Sequence, residues 1–170
     1  MEKVAVLGIG PSLHLFDPQD FDLLIGVNDI WRFVETEVVV CLDHAVRFSL
    51  KRLRVIEKCQ PKAFYSQIQS WHKKKGFEKI ELYSQYPDTK VNILGEKYEK
   101  SYCSPFVACQ IAFREYRAKE IHLFGVDMIN HPHLTGSMLP RIVRHFKNLQ
   151  SALRPHSRII VYGDGILRGL

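Results

Sequence analysis

The residues best suited to chemistry fall where apolar runs end. Lys3–Leu7 leads into Gly8-Ile9-Gly10-Pro11-Ser12-Leu13, in which two glycines permit a tight turn and close backbone approach, and Pro11 can open a helical turn. Exposed N–H groups there, with the Ser12 hydroxyl, would suit a phosphate. The pattern is not a dinucleotide fingerprint, because Leu13 stands where a third glycine belongs, and not a P-loop, because no Gly-Lys-Ser/Thr follows. The next apolar run ends at Asn28-Asp29, roughly 20 residues beyond the glycines, where nucleotide-binding α/β folds place a ribose contact. Later runs end at Asp43-His44, Gly125-Val126-Asp127 and Gly163-Asp164-Gly165. Carboxylate- and amide-bearing ends grouped with a glycine turn point to a ligand cleft.

After Asp127 comes Asn130-His131-Pro132-His133. An imidazole titrates near neutrality and can serve as general base to a hydroxyl acceptor. His131, His133 and Asp127 are also metal-ligand types, but a zinc site would need a fourth partner, and no metal is expected. Cys41, Cys59, Cys103 and Cys109 form no C-x-x-C pair, which argues against a zinc ribbon or a thioredoxin-like motif and suits a reducing cytosol. Cys41 and Cys109 fall on apolar positions and read as packed. Cys103 lies at a helix start, where a thiol can be activated, with no base assigned to it.

The elements that carry these residues follow from hydrophobic patterning. Lys3–Leu7, Asp22–Val27, Glu37–Leu42, Lys62–Tyr65, Glu120–Phe124 and Arg158–Tyr162 are nearly continuous in apolar residues rather than alternating, as in strands of a parallel sheet covered on both faces. Helical spacing runs over Pro105–Ala118, with Ser104 as cap, over Leu139–Leu153 and over His44–Lys58. The rhythm predicts an α/β fold with right-handed crossovers and helices on both faces of a mostly parallel sheet. It makes one Rossmann-like domain over residues 1–170, with 71–100 an irregular insertion holding short strands at Lys79–Tyr83 and Lys90–Leu94. In such a sheet the ligand lies beyond the carboxyl ends of the strands, which is where the residues named above fall.

With 170 residues, 46% hydrophobic and 25% charged, the chain can bury a core without disulfide or structural metal. Its 24 Lys and Arg against 18 Asp and Glu give +6, a balance that raises nucleic acid as a partner. Lys51-Arg52-Arg54, Lys73-Lys74-Lys75 and Arg141/Arg144/Lys147, interleaved with Phe64, Tyr65, Trp71 and Phe77, could track a backbone with aromatic stacking. Solvated helix faces and loops explain the same residues at least as well. No apolar run approaches the roughly 20 residues that span a bilayer, and Val4–Leu7 is too short for a signal-peptide core. A cytoplasmic protein is expected.

The glycine turn, Asn28, and the block Phe106–Ala118 followed by Lys119-Glu120-Ile121-His122-Leu123-Phe124-Gly125-Val126-Asp127 resemble the bacterial lipooligosaccharide sialyltransferases. They also look like the related pterin-pyrophosphokinase-like proteins that share the Gly-Pro-Ser-Leu turn. The resemblance implies a Rossmann-like glycosyltransferase fold with a nucleotide, CMP in the sialyltransferases, against Gly8, Gly10, Pro11 and Ser12. It implies further nucleotide contacts from Asn28 and from the helix start at Ser104, and the strand ends themselves add Asp29, beside Asn28, and Asp43 as residues for ribose or base. It implies a histidine base after the Gly-x-Asp block, here His133 or His131 with Asp127 orienting the site, and no tightly bound cofactor. The pyrophosphokinase alternative would instead require Mg²⁺ on Asp43 and Asp127. Ile9 stands where the sialyltransferases usually carry Asn, Ser104-Pro105 replaces a glycine-containing turn, and the stretch after Asp127 is too short for a substantial acceptor lid.

Overall fold

The computed structural model describes all 170 residues. Seven strands form one all-parallel sheet: β1 (Lys3–Leu7), β2 (Leu23–Val27), β3 (Val38–Val40), β4 (Ala63–Ser66), β5 (Phe77–Lys79), β6 (Glu120–Phe124) and β7 (Arg158–Val161). Their order across the sheet is β5-β4-β3-β2-β1-β6-β7. This is a Rossmann-like α/β fold. Six strands coincide with the apolar runs. The additional strand, β5, is a three-residue edge with Glu78 and Lys79 exposed, and so lacks the apolar signal that marks the others. Short charged edges of this kind resist pairing with another chain.

Strand alternation divides the core. Val4, Val6, Val38 and Val40 point to one face and meet α2 (Ser104–Arg114) and α3 (Met138–Leu153) in the largest cluster. Ala5 and Leu7 point the other way, with Ile30 and Phe124, while Val39 and Cys41 join Phe48, Ile56, Phe64 and Trp71. That second face is covered by α1 (Leu50–Lys58) and a series of 3₁₀ turns, not by a full helical layer. The β1–β2 crossover shows why. Pro11 and Pro18 divide it into two short turns, and Phe16 and Phe21 fill the space a helix would have covered, both packing edge-on against Phe124 at 5.4 and 5.6 Å.

Several boundaries differ from expectation. The helix read over His44–Lys58 begins only at Leu50, because Ala45–Arg47 makes a separate 3₁₀ turn. No strand forms at Lys90–Leu94, and Lys79–Tyr83 contributes only the end of β5 and an isolated bridge from Leu82 to Tyr98. This irregular segment is nonetheless anchored. Val91, Ile93 and Tyr98 are buried in the main cluster, and the buried Gln110 amide donates to Glu99 O at 2.8 Å and accepts from Glu99 N at 2.9 Å.

Two topological facts place the site. The chain leaves β1 toward β2 on one side and returns to β6 on the other, so the carboxyl ends of β1 and β6 flank a switch point, where a crevice opens. The returning crossover carries α2 beneath β1, β2 and β3. A crossover helix runs antiparallel to its strands, which brings the α2 N-terminus to the same edge.

Candidate functional site

A cleft of about 530 Å³ opens at this edge, within the usual range for small-molecule sites. Its walls come from the Gly8–Pro11 turn after β1, Val27 and Asn28 after β2, Asp43, Arg47, Phe48 and Arg52 around α1, Tyr102–Pro105 at the start of α2, and the loop after β6 from Gly125 to Leu134. Of the residues read as a site, Gly8, Gly10, Pro11, Asn28, Asp43, Ser104, His131 and His133 line this cleft together. Ser12, Asp29 and Asp127 do not.

The glycine turn is shaped by protein contacts. Gly8 N donates to Phe124 O at 2.8 Å and Gly10 N to Gly125 O at 2.8 Å. A Cβ on Gly10 would come within 2.5 Å of Asp127 Oδ2, and one on Gly8 would run into the Gly125 carbonyl. The glycines therefore let the β1 and β6 turns touch backbone to backbone. Ser12 is buried and fully engaged: its N–H and its hydroxyl both donate to Asp127 Oδ2 at 2.9 Å, and Oγ accepts from Gly125 N at 2.8 Å. The N–H groups of Gly8 and Gly10 and both donors of Ser12 are thus each engaged by protein acceptors. The Ile9 N–H makes no backbone hydrogen bond, and Ile9 lines the cleft. Asp127, expected to orient the site or hold Mg²⁺, is a buried latch between the two turns, and Asp43 is the one carboxylate lining the cleft.

Asn28 sits at the end of β2 with φ +52°. Asn adopts this left-handed region more readily than most residues because its short amide can bond locally. Its N–H is taken by Val40 O, and its Oδ1 is buried without any partner. An orphaned buried acceptor needs a donor from outside the protein chain, a water or a ligand. Asp29 is fully buried behind the wall, where its Oδ1 accepts from Arg52 Nε at 2.9 Å and Nη2 at 2.6 Å. It touches the site only through Arg52, which also lies over the Phe48 ring at 5.1 Å.

The loop after β6 crosses the mouth of the cleft. Gly125, Met128 and Asn130 all have positive φ there, a concentration of left-handed residues that marks a built turn. His131 Nδ1 accepts from His133 N at 3.2 Å, so a neutral His131 carries its proton on Nε2 and offers no free basic nitrogen. Burial, with His133 and Arg52 nearby, holds the His131 pKa below the usual imidazole value. The exposed His133 ring makes no hydrogen bond of its own and keeps a basic nitrogen free. At the other wall, the α2 N-terminus has Cys103 as an N-cap that makes no capping hydrogen bond, and Pro105 lacks an N–H. The Ser104 N–H is thus left at the open end of the helix. Its packed surroundings push the half-buried Cys103 thiol up to about 12.

The basic groups do not form an aromatic-lined track. Phe64 and Trp71 are core residues, Lys74 caps backbone carbonyls of Glu57 and Cys59, and Arg141 is bound to Asp88. The sequence reading missed Arg47 and Arg52 as cleft residues. Their signal was present in the basic stretch around α1, but the partner that fixes Arg52 is 23 residues away, at Asp29.

No protein-family model matches the chain, and no curated protein matches it. Among solved structures it is similar to the sialyltransferase CstII from Campylobacter jejuni in complex with a substrate analogue, CMP-3FNeuAc. The likeness covers 95% of this chain and 80% of that one, with a TM-score of 0.57 and 16% identity. It shows that the chain has a sialyltransferase-like fold.

Proposed function

We propose that this chain binds a nucleotide sugar in the switch-point cleft and transfers the sugar to a hydroxyl acceptor, as a glycosyltransferase with a reduced acceptor lid. The observation that carries the reading is the orphaned Asn28 Oδ1, a buried acceptor on the wall of a cleft that also holds two arginines and a helix N-terminus. Asn28 receives a hydrogen bond from the nucleoside, and Asp43 receives a ribose hydroxyl. The Ile9 N–H, the first turn of α2 and the arginines face the phosphate. CMP-sugars are the first donors to test, because the similar sialyltransferase is described with a CMP-sugar analogue.

In the transfer, the acceptor oxygen bonds to the anomeric carbon and the bond from that carbon to the phosphate oxygen breaks. The nucleotide leaves with the electron pair, and the acceptor proton passes to His133. Donors already aimed at the departing phosphate supply much of the rate, because they need no reorganisation as charge develops. The pyrophosphokinase alternative draws on Asp43 and Asp127 together, and Asp127 is committed to Ser12.

Calorimetry against CMP, UMP, GDP and their sugar conjugates tests the reading. At least one is expected to bind, and no binding by any of them, with the fold intact, would overturn it. Where a donor binds, His133→Ala should abolish sugar transfer to a hydroxyl acceptor while leaving donor affinity within about twofold. His131→Ala should lower the rate by less than about tenfold, against the roughly 10²–10⁴ typical of general-base loss.

A further inference from the structure

The positive charge of this chain is concentrated on one side. Residues 44–75 hold nine of the 24 Lys and Arg and one of the 18 Asp and Glu, so the rest of the chain carries a slight acidic excess. The segment comprises α1, β4 and the 3₁₀ turns Ala45–Arg47 and Gln69–Lys73. Its side chains Phe48, Ile56, Phe64 and Trp71 all enter one cluster on the second face of the sheet. That shared cluster gathers α1 and the two turns over one face, and Lys51, Arg54, Lys58, Lys73 and Lys75 are left exposed on the outside. Lys74 donates to the carbonyl oxygens of Glu57 and Cys59, which ties the Lys73–Lys75 run to the end of α1. Lys51, Arg54 and Lys58 form no ion pair.

Aliphatic side chains stand among these cations. Val46 is 91% exposed, and Leu50, at the first position of α1, is 73% exposed. Leu50 lies one turn before Arg54 and shares its side of the helix. Val46 adjoins the cleft residue Arg47, and the exposed Ile129 lines the same cleft. Nucleic acid would need aromatic rings to stack on, but Phe48, Phe64 and Trp71 are buried. A second copy placed symmetrically on this surface would set cations against cations. Exposed aliphatics flanked by unpaired Lys and Arg match an anionic bilayer, which takes the aliphatics below its headgroups and holds the cations at its charged surface.

We propose that the face formed by Val46, Leu50, Lys51 and Arg54 docks this protein peripherally on an anionic lipid surface, with the mouth of the cleft beside the bilayer. Val46 and Leu50 enter the interface, and Lys51 and Arg54 meet the headgroup charge. The proposal does not depend on the nucleotide-binding reading, and its test uses no nucleotide.

The test is co-sedimentation of the intact chain with vesicles of phosphatidylcholine alone and of phosphatidylcholine mixed with phosphatidylserine, at about 0.1 M salt. Binding to the anionic vesicles is expected to exceed binding to the neutral ones by about tenfold or more, the scale of several surface cations. Val46→Ser with Leu50→Ser should weaken binding to the anionic vesicles about tenfold or more. The urea midpoint of that variant should not move, because neither side chain is in the core. Lys51→Gln with Arg54→Gln should weaken the same binding roughly fivefold for each cation lost. A single-stranded oligonucleotide titrated in parallel separates lipid from nucleic acid. Association with neither kind of vesicle, equal association with both, or an aliphatic variant that binds like the wild type overturns the proposal. So does a chain that binds the oligonucleotide and not the vesicles.

Discussion

A carboxylate at the end of a central strand invites a direct catalytic role, but Asp127 is buried and bonded within the protein. Its Oδ2 accepts two bonds from Ser12, and a Cβ on Gly163 would lie 2.7 Å from its Oδ1. Removing it strands a buried N–H and a buried hydroxyl. Asp127→Ala is expected to cost about 2–3 kcal/mol of stability in urea unfolding, with Ser12→Ala costing less. A catalytic Asp127 would instead leave stability near wild type. Asn28 should behave in the opposite way. In Asn28→Ala the strain of a left-handed alanine, on the order of 1 kcal/mol, is offset by loss of an unsatisfied acceptor. Stability should stay within about 1 kcal/mol while nucleotide affinity falls about tenfold, read by unfolding and calorimetry on the same sample. Residue types after each strand were enough to nominate Asn28 and Asp43. They could not separate Asn28 from Asp127, because the contact that withdraws Asp127 spans 115 residues.

Elements were more legible than contacts, for a physical reason. A strand covered on both faces must be apolar throughout, and β1, β2, β3, β4, β6 and β7 announce themselves that way. The switch point followed from their parallel arrangement. What patterning missed was the cover. Every residue of α2 from Ser104 to Phe113 is buried, although Arg114 and Glu115 mark only its last turn as polar. A helix buried all round is enclosed by something, and the irregular segment before it does the enclosing. Gln110 joins the two by satisfying both the N–H and the carbonyl of Glu99. The same segment continues to Tyr102 in the cleft wall, whose hydroxyl accepts from Arg141. Gln110→Ala should therefore cost about 2–3 kcal/mol. In hydrogen exchange it should deprotect residues 92–99 before β1 or β6, whereas uniform deprotection would show that the segment is not a separate layer.

For the whole molecule, the two faces of the sheet each close over a buried histidine, and this makes acid stability a property of the fold. His145, on α3, is fully buried, with Nδ1 at 2.8 Å from Ser101 Oγ and Nε2 at 3.0 Å from Asp88 Oδ1. His122, on β6, is held between Tyr162 and Glu120 at 3.0 Å each. Burial lowers both imidazole pKa values, against the opposing pull of Asp88 and Glu120 and with the help of Arg141 and Arg158. The folded chain thus binds fewer protons at these rings than the unfolded chain, whose histidines titrate near 6.5. Stability is full above about 6.5 and declines as pH falls through the lower folded values. A second loss comes from carboxylates. Arg141 and His145 hold Asp88 down at about 2, and Arg158 and His122 hold Glu120 below its usual value. Their contributions are present above about 4 and vanish as pH falls toward 2. Urea unfolding followed across pH should then show a plateau near 7–8, a first decline that sets in below about 6.5, and a second below about 4. Replacing both buried rings, as His122→Gln with His145→Gln, should flatten the first decline and leave the second visible. A first decline that survives this double replacement would assign it to the exposed histidines and to repulsion in a chain already at +6.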